Sequence, residues 1–202
     1  MRKILALTII SLFVFIGTSF AQNEGQQVLE SLQKKFNSTK DITAEFVQSS
    51  NGKVILSGKF YFKKKNNLRL ELKNITIISN GETNWNYNKT ENKVIISSYD
   101  ENDPSVLSLN NFINVYPSEC NVELQNNNGQ KILMLTPQKE GLNFKSVKIW
   151  LDNDNLISKM IIEDLNNVSV RIDFSNYKLN TNLPDSLFTF VPPKGSKVID
   201  LR

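Results

Sequence analysis

The chain has no histidine and one cysteine, Cys120. Without an imidazole, neither a Ser-His-Asp nor a Cys-His relay can be built, and the commonest general base is missing. A lone thiol makes no internal disulfide and no thiolate zinc site. Acidic groups are what remains for acid–base or metal chemistry, and they gather at Asp100-Glu101-Asn102-Asp103 and Asp152-Asn153-Asp154-Asn155. Both groups lie between strand-like segments, where Asx side chains bond their own backbone and form turns. The second lacks the glycine and distal glutamate of an EF-hand loop. Both are read as turns, so no catalytic residue, metal or cofactor is expected, and a hydrolase using Asp or Glu is the least supported reading. The basic run Lys63-Lys64-Lys65 is a solvated turn unless the fold sets one of its ammonium groups beside an apolar face.

The first residues address the protein. Met1-Arg2-Lys3 precedes an apolar run over residues 4–17, and the run ends in Ser19-Phe20-Ala21. A basic start, an apolar stretch and small residues one and three before a cut make a secretory leader. The stretch is shorter than the ~20 residues of a membrane span. Cleavage is expected after Ala21, exporting residues 22–202 as one domain. Residue 22 is Gln rather than Cys, so the protein is not expected to be lipidated itself. Arg2 and Lys3 leave with the leader, lowering the formal charge by two from +4. A domain this near neutrality has no general affinity for nucleic acid.

The elements that position side chains follow from periodicity. Val28, Leu29, Leu32 and Phe36 recur at helical spacing and predict a helix over residues 26–36. Strand alternation follows at residues 42–46, 54–63 and 68–73, then at 75–79 and 83–87 around Asn80-Gly81, a tight-turn signal, and at 93–98. After Pro104, the residues Val106, Leu107, Leu109, Phe112, Ile113 and Tyr116 return to a helical period, which Pro117 ends. Strands resume at 120–125, 131–136, 144–151, 156–164 and 168–179. A helical turn is expected at Pro184-Asp185-Ser186, and residues 188–191 and 197–200 close the chain as extended segments. Short strands joined by short turns predict a sequentially paired antiparallel sheet that curls. Two helices can cover one opening of it. The space between is either a filled core or a ligand cavity, and composition does not choose.

One hairpin yields a sharper expectation. A three-residue loop at Lys65-Asn66-Asn67 pairs Lys64 with Leu68 and Phe62 with Leu70, gathering Phe60, Phe62, Leu68 and Leu70 on one face. Lys64 then stands last on that face, at its rim, where a cation could meet the polar head of an apolar ligand.

In order, the pieces Phe46-Val47-Gln48, Ser57-Gly58-Lys59-Phe60-Tyr61-Phe62-Lys63-Lys64, Leu68-Arg69-Leu70-Glu71, Ile78-Ser79-Asn80-Gly81, Trp85-Asn86-Tyr87, Leu135-Thr136-Pro137 and Phe188-Thr189-Phe190-Val191-Pro192-Pro193-Lys194-Gly195 resemble the periplasmic outer-membrane lipoprotein carriers, the LolA family. The resemblance covers nearly all of residues 22–202. It implies a mainly β, single-domain fold: an incomplete, unclosed antiparallel β-barrel with an α-helical lid over a hydrophobic cavity. It implies a carrier that takes outer-membrane lipoproteins by their acyl chains from an inner-membrane ABC-type release complex and passes them to an outer-membrane acceptor. On this reading Phe46, Leu56, Phe60, Phe62, Leu68, Leu70, Trp85, Leu107, Phe112 and Ile113 line the cavity. The family's arginine after the glycine-bearing hairpin aligns with Lys64-Lys65, which gives Lys64 a rim or latch role; a guanidinium and an ammonium differ in donor geometry. The same fold also serves periplasmic sensor modules that bind lipoproteins without ferrying them, and that regulatory reading is the alternative.

Overall fold

The computed structural model describes residues 17–100, 109–127 and 129–202, with side chains from residue 24 onward. A long helix, α1 (Gly17–Ser38), precedes six strands: β1 (Asp41–Ser50), β2 (Lys53–Lys63), β3 (Asn67–Leu72), β4 (Ile75–Asn80), β5 (Thr83–Asn88) and β6 (Lys93–Ser98). A short irregular helix follows, π-helical at Asn111–Val115 and 3-10 at Tyr116–Glu119. Then come β7 (Cys120–Asn127), β8 (Gln130–Pro137), β9 (Phe144–Leu151), β10 (Ile157–Asp164), β11 (Ser169–Leu179) and β12 (Lys197–Asp200).

All the strands join one sheet in the order β12-β6-β5-β4-β3-β2-β1-β11-β10-β9-β8-β7. Two sequential meanders are therefore sewn together where β1 meets β11, with Phe46 opposite Phe174 and Gln48 opposite Ile172. The sheet has two ends and does not close, as expected. Every pairing is antiparallel except one: β12 runs parallel to β6, Val198 beside Val94. An arm of residues 180–196 carries the chain back to that edge, so the final pairing is not sequential.

Directly opposed residues of an antiparallel sheet point to the same side, so register assigns the faces. One transverse row reads Ile42–Phe62–Leu68–Ser79–Asn84–Ser97, and the next reads Ala44–Phe60–Leu70–Ile77–Asn86–Ile95. This inner face meets α1: Leu29, Leu32 and Phe36 share a buried cluster with Ile42, Phe46, Phe60, Leu68, Leu70, Leu133, Val147, Ile149, Met160 and Phe174. At ~25 cal/mol per Å² this burial is the main favourable term in folding. Near its N-terminus, α1 lies against β7. A Cβ on Gly25 would stand 2.9 Å from the Val122 carbonyl oxygen, so a side chain there would push helix and strand apart.

The outer face of β3–β6 carries a second layer. Ile78 and Val94 are fully buried on that side, opposite Arg69 and Tyr87 in register. The arm covers them: its 3-10 turn, Asp185–Phe188, packs on β3 and β4, Phe188 is buried, and the Phe190 ring lies 5.3 Å from Tyr87. Asp41 fastens the start of the arm. Its buried carboxylate accepts hydrogen bonds from the Thr181 amide at 2.7 Å, the Thr181 hydroxyl at 3.0 Å and the Asn182 amide at 3.0 Å.

Several expectations are corrected. The first helix extends well beyond residues 26–36, because no proline interrupts residues 17–25. The second helical stretch, in its described part, winds as a π turn followed by a 3-10 turn, not as one α-helix. Pro117 lies within the first turn of the 3-10 piece, where a missing N–H costs nothing. The arm residues 189–191 form no strand. The β2–β3 loop is three residues, but it closes one residue earlier than expected, at Lys64-Lys65-Asn66, pairing Lys63 with Asn67 and Phe62 with Leu68. Lys65 and Asn66 take left-handed backbone, φ 70° and 58°, and the Asn67 side-chain Nδ2 donates to the Lys64 carbonyl at 2.7 Å. A register shift of two residues leaves the faces unchanged, so Phe60, Phe62, Leu68 and Leu70 still share one.

Candidate functional site

The inner face beneath α1 is the candidate site. Strand period two brings Phe46, Phe60, Phe62, Leu68 and Leu70 to this face from β1, β2 and β3. Phe60 is 0% exposed. Its ring lies 6.4 Å from Phe62 and 6.2 Å from Phe174, and Phe62 in turn stacks on Phe36 of α1 at 5.2 Å. An aromatic column therefore runs from the sheet into the helix. The π turn closes the other flank. Ile113 is buried in the same cluster, and Phe112 packs against Tyr116 and Phe144 at 5.1 and 6.2 Å.

Few polar contacts hold this cover. The Lys64 ammonium donates to the Asn37 carbonyl at 2.5 Å, at the last turn of α1, where a cation also suits the helix dipole. The Gln33 amide donates to the Ile113 carbonyl at 2.9 Å, and the Asn37 and Asn114 side chains meet at 3.2 Å. Helix and π turn are thus tied to each other, and Lys64 ties the helix to the β2–β3 loop. Its neighbour Lys63 faces the other way. It bonds the Leu183 carbonyl at 2.9 Å and the Asp185 carboxylate at 2.5 Å, and this ion pair holds the Asp185 carboxyl below its usual range.

Two expected lining residues are elsewhere. Trp85 points to the outer face: it opposes Ile78 and Ile96, while Asn84, Asn86 and Asn88 of the same strand take the inner side. Alternation alone leaves the choice of face open, and the arm decides it by covering the aromatic side of β5. Leu56 has inner-face register opposite Gln48, yet it is 37% exposed. Strand β3 stops at Leu72 opposite Gly58, leaving residues 53–57 with one strand neighbour. Gly58 makes that ending possible, since a Cβ there would sit 2.1 Å from the Glu71 carbonyl oxygen. Leu107 lies outside the described residues. The inner-face asparagines were not among the expected site residues; their regular spacing with Trp85 and Tyr87 was the available signal.

Two titratable groups are shifted far by burial. Burial, with the Glu119 charge, pushes the thiol of Cys120, at the start of β7, up to about 11, which keeps it from acting as a thiolate at neutral pH. Burial raises the Tyr177 hydroxyl as well, and it donates to the Ile157 carbonyl at 2.7 Å.

The sequence profile of the outer membrane lipoprotein carrier protein LolA matches residues 37–191. The chain belongs to the LolA family. Among its LolA-family relatives, an outer-membrane lipoprotein carrier protein of Haemophilus influenzae is 30% identical over 85% of this chain and 86% of that protein. An uncharacterized protein of Methanocaldococcus jannaschii is 26% identical over 95% of this chain, which spans 59% of that longer relative. In three dimensions the chain is similar to an uncharacterized conserved protein from Thermus thermophilus, with a TM-score of 0.59 at 15% identity, covering 88% of this chain and 99% of that one. That likeness is one of fold. Among the described residues no helix is long and apolar enough to cross a membrane.

Proposed function

We propose that this LolA-family chain is a periplasmic carrier that loses residues 1–21 on export. Residues 22–202 then bind the acyl chains of lipoproteins between the inner face and α1, and carry them from the inner to the outer membrane. The observation that supports this most is the aromatic column Phe60–Phe62–Phe36, which spans sheet and helix while exposed polar contacts, chiefly Lys64 to Asn37, fasten the helix. A cover packed on an apolar, aromatic face, with one end latched by an exposed hydrogen bond, can lift and admit chains. Each buried CH₂ of a chain contributes about 0.8 kcal/mol. The partners on this reading are an inner-membrane ABC-type release complex and an outer-membrane acceptor, with no enzymatic step.

The test is release. Spheroplasts or inner-membrane vesicles carrying a labelled lipoprotein are incubated with the purified protein and ATP, and soluble complexes are isolated. A soluble one-to-one complex of carrier and lipidated protein, absent for the unlipidated form, is the expected result. Failure to solubilise any lipoprotein sinks the carrier reading.

A further inference from the structure

The inner face turns polar along one of its rows. Along the row Ile42–Phe62–Leu68–Ser79–Asn84–Ser97 the side chains change from hydrocarbon to polar between β3 and β4. Asn84 is the exceptional member. Its side chain is more than nine-tenths buried, and its Oδ1 has no hydrogen-bond partner. A buried carbonyl oxygen without a donor is unfavourable, and native proteins keep very few. Ser79, opposite it, accepts from the Gly81 amide at 3.2 Å, and its hydroxyl makes no hydrogen bond to the Asn84 oxygen. Asn84 stands three strands from Phe62, about 14 Å at ~4.8 Å per strand, and the Phe36–Phe62 stack marks where α1 covers the row.

We propose that Asn84 Oδ1 accepts a hydrogen bond from the ligand, and that the ligand group is a secondary amide adjoining an acyl chain. Hydrocarbon lies across the Phe62–Leu68 half of the row, and the N–H that links the chain to its bearer reaches Asn84. Ester-linked chains offer only acceptors and leave the oxygen unpaired; an N-acyl group supplies the donor. The inference rests on the carrier reading and adds selectivity within it: the face prefers an amide-linked chain over an ester-linked one.

N-Methyldodecanamide and methyl dodecanoate differ mainly by N–H against O. Each is titrated against the purified protein loaded with a fluorescent apolar dye, and dye displacement is measured for wild type and for Asn84→Leu. Wild type should favour the amide, relative to the ester, by about three- to tenfold more than Asn84→Leu does, the range one buried hydrogen bond supplies. Ester binding retained by Asn84→Leu shows that the variant is folded. If Asn84→Leu loses ester binding, Asn84→Ser replaces it in the same comparison. Equal amide-to-ester ratios in wild type and variant overturn the role of Asn84 and leave the carrier reading standing. Displacement by neither compound overturns the carrier reading, and this inference with it.

Discussion

Lys64 in the β2–β3 loop donates its ammonium to the main-chain carbonyl of Asn37, at the C-terminal turn of α1. The loop amide adds a second tie, from Lys64 N to the Lys40 carbonyl at 3.2 Å. The side chain is exposed, and an exposed hydrogen bond of this kind contributes little to global stability while it sets how readily one helix end lifts. Lys64→Ala should lower Tm by less than about 4 °C, since 1 kcal/mol is worth roughly 2–4 °C at this size. It should also change the rates of lipoprotein uptake and release. Lys64→Arg should retain or tighten the latch, because a guanidinium can hold several carbonyls. Lys65→Ala is the control, since Lys63 is engaged with Asp185 and Leu183. Identical transfer kinetics for wild type, Lys64→Ala and Lys65→Ala would refute the latch.

Locking the same place tests movement of the cover. Asn37→Cys combined with Lys64→Cys, oxidised in the presence of a short dithiol that spans the gap between them, ties α1 to the loop. The native thiol should not interfere: Cys120 is buried, with its pKa pushed up to about 11. The oxidised protein should fail to load, and dithiothreitol should restore loading. In the parent protein, maleimide at neutral pH should label Cys120 only after unfolding. Loading by the oxidised form at the reduced form's rate would show that this end of α1 need not lift.

Phe60 and Leu56 lie four residues apart on β2 with the same inward register and opposite fates. Phe60 is 0% exposed and Leu56 is 37% exposed. Urea unfolding should show Phe60→Ala destabilised by about 3–5 kcal/mol. Leu56→Ala should stay within roughly 0.5 kcal/mol, as for a surface site. A comparable loss from both would mean that the first half of β2 is covered.

Asp41 contributes to the acid response. Burial raises its pKa, but the hydrogen bonds from Thr181, Leu183 and Asn182 outweigh that and hold it below the ordinary 3.8. A lowered folded-state pKa contributes stability above the usual carboxylate value. That contribution is lost as pH falls through the lowered one. Asp41→Asn should cost about 1–3 kcal/mol at neutral pH, since it removes charge-assisted acceptors from buried N–H groups. The variant's stability should fall less steeply than wild type's below about pH 4. Parallel pH profiles by urea titration would exclude Asp41 as a source of the acid sensitivity.

The sequence by itself determined what depends on neighbours along the chain. The missing histidine removes imidazole chemistry. Period-two alternation put Phe60 and Phe62 on one side of β2, and Leu68 and Leu70 on one side of β3, and this survived a hairpin loop that closes one residue early, because the resulting two-residue slip preserves faces. Tertiary structure decided which side was inside. Strand β5 alternates Asn84, Asn86 and Asn88 against Trp85 and Tyr87, and local hydrophobicity favoured turning Trp85 inward. An arm roughly 100 residues later covers the aromatic side instead, leaving the asparagines to the inner face. Leu56 is exposed because β3 ends at Leu72. The partner of Lys64 is a helix carbonyl 27 residues away. Periodicity reports that two faces differ; only the packing of distant segments, by excluding water from one of them, decides what each face meets.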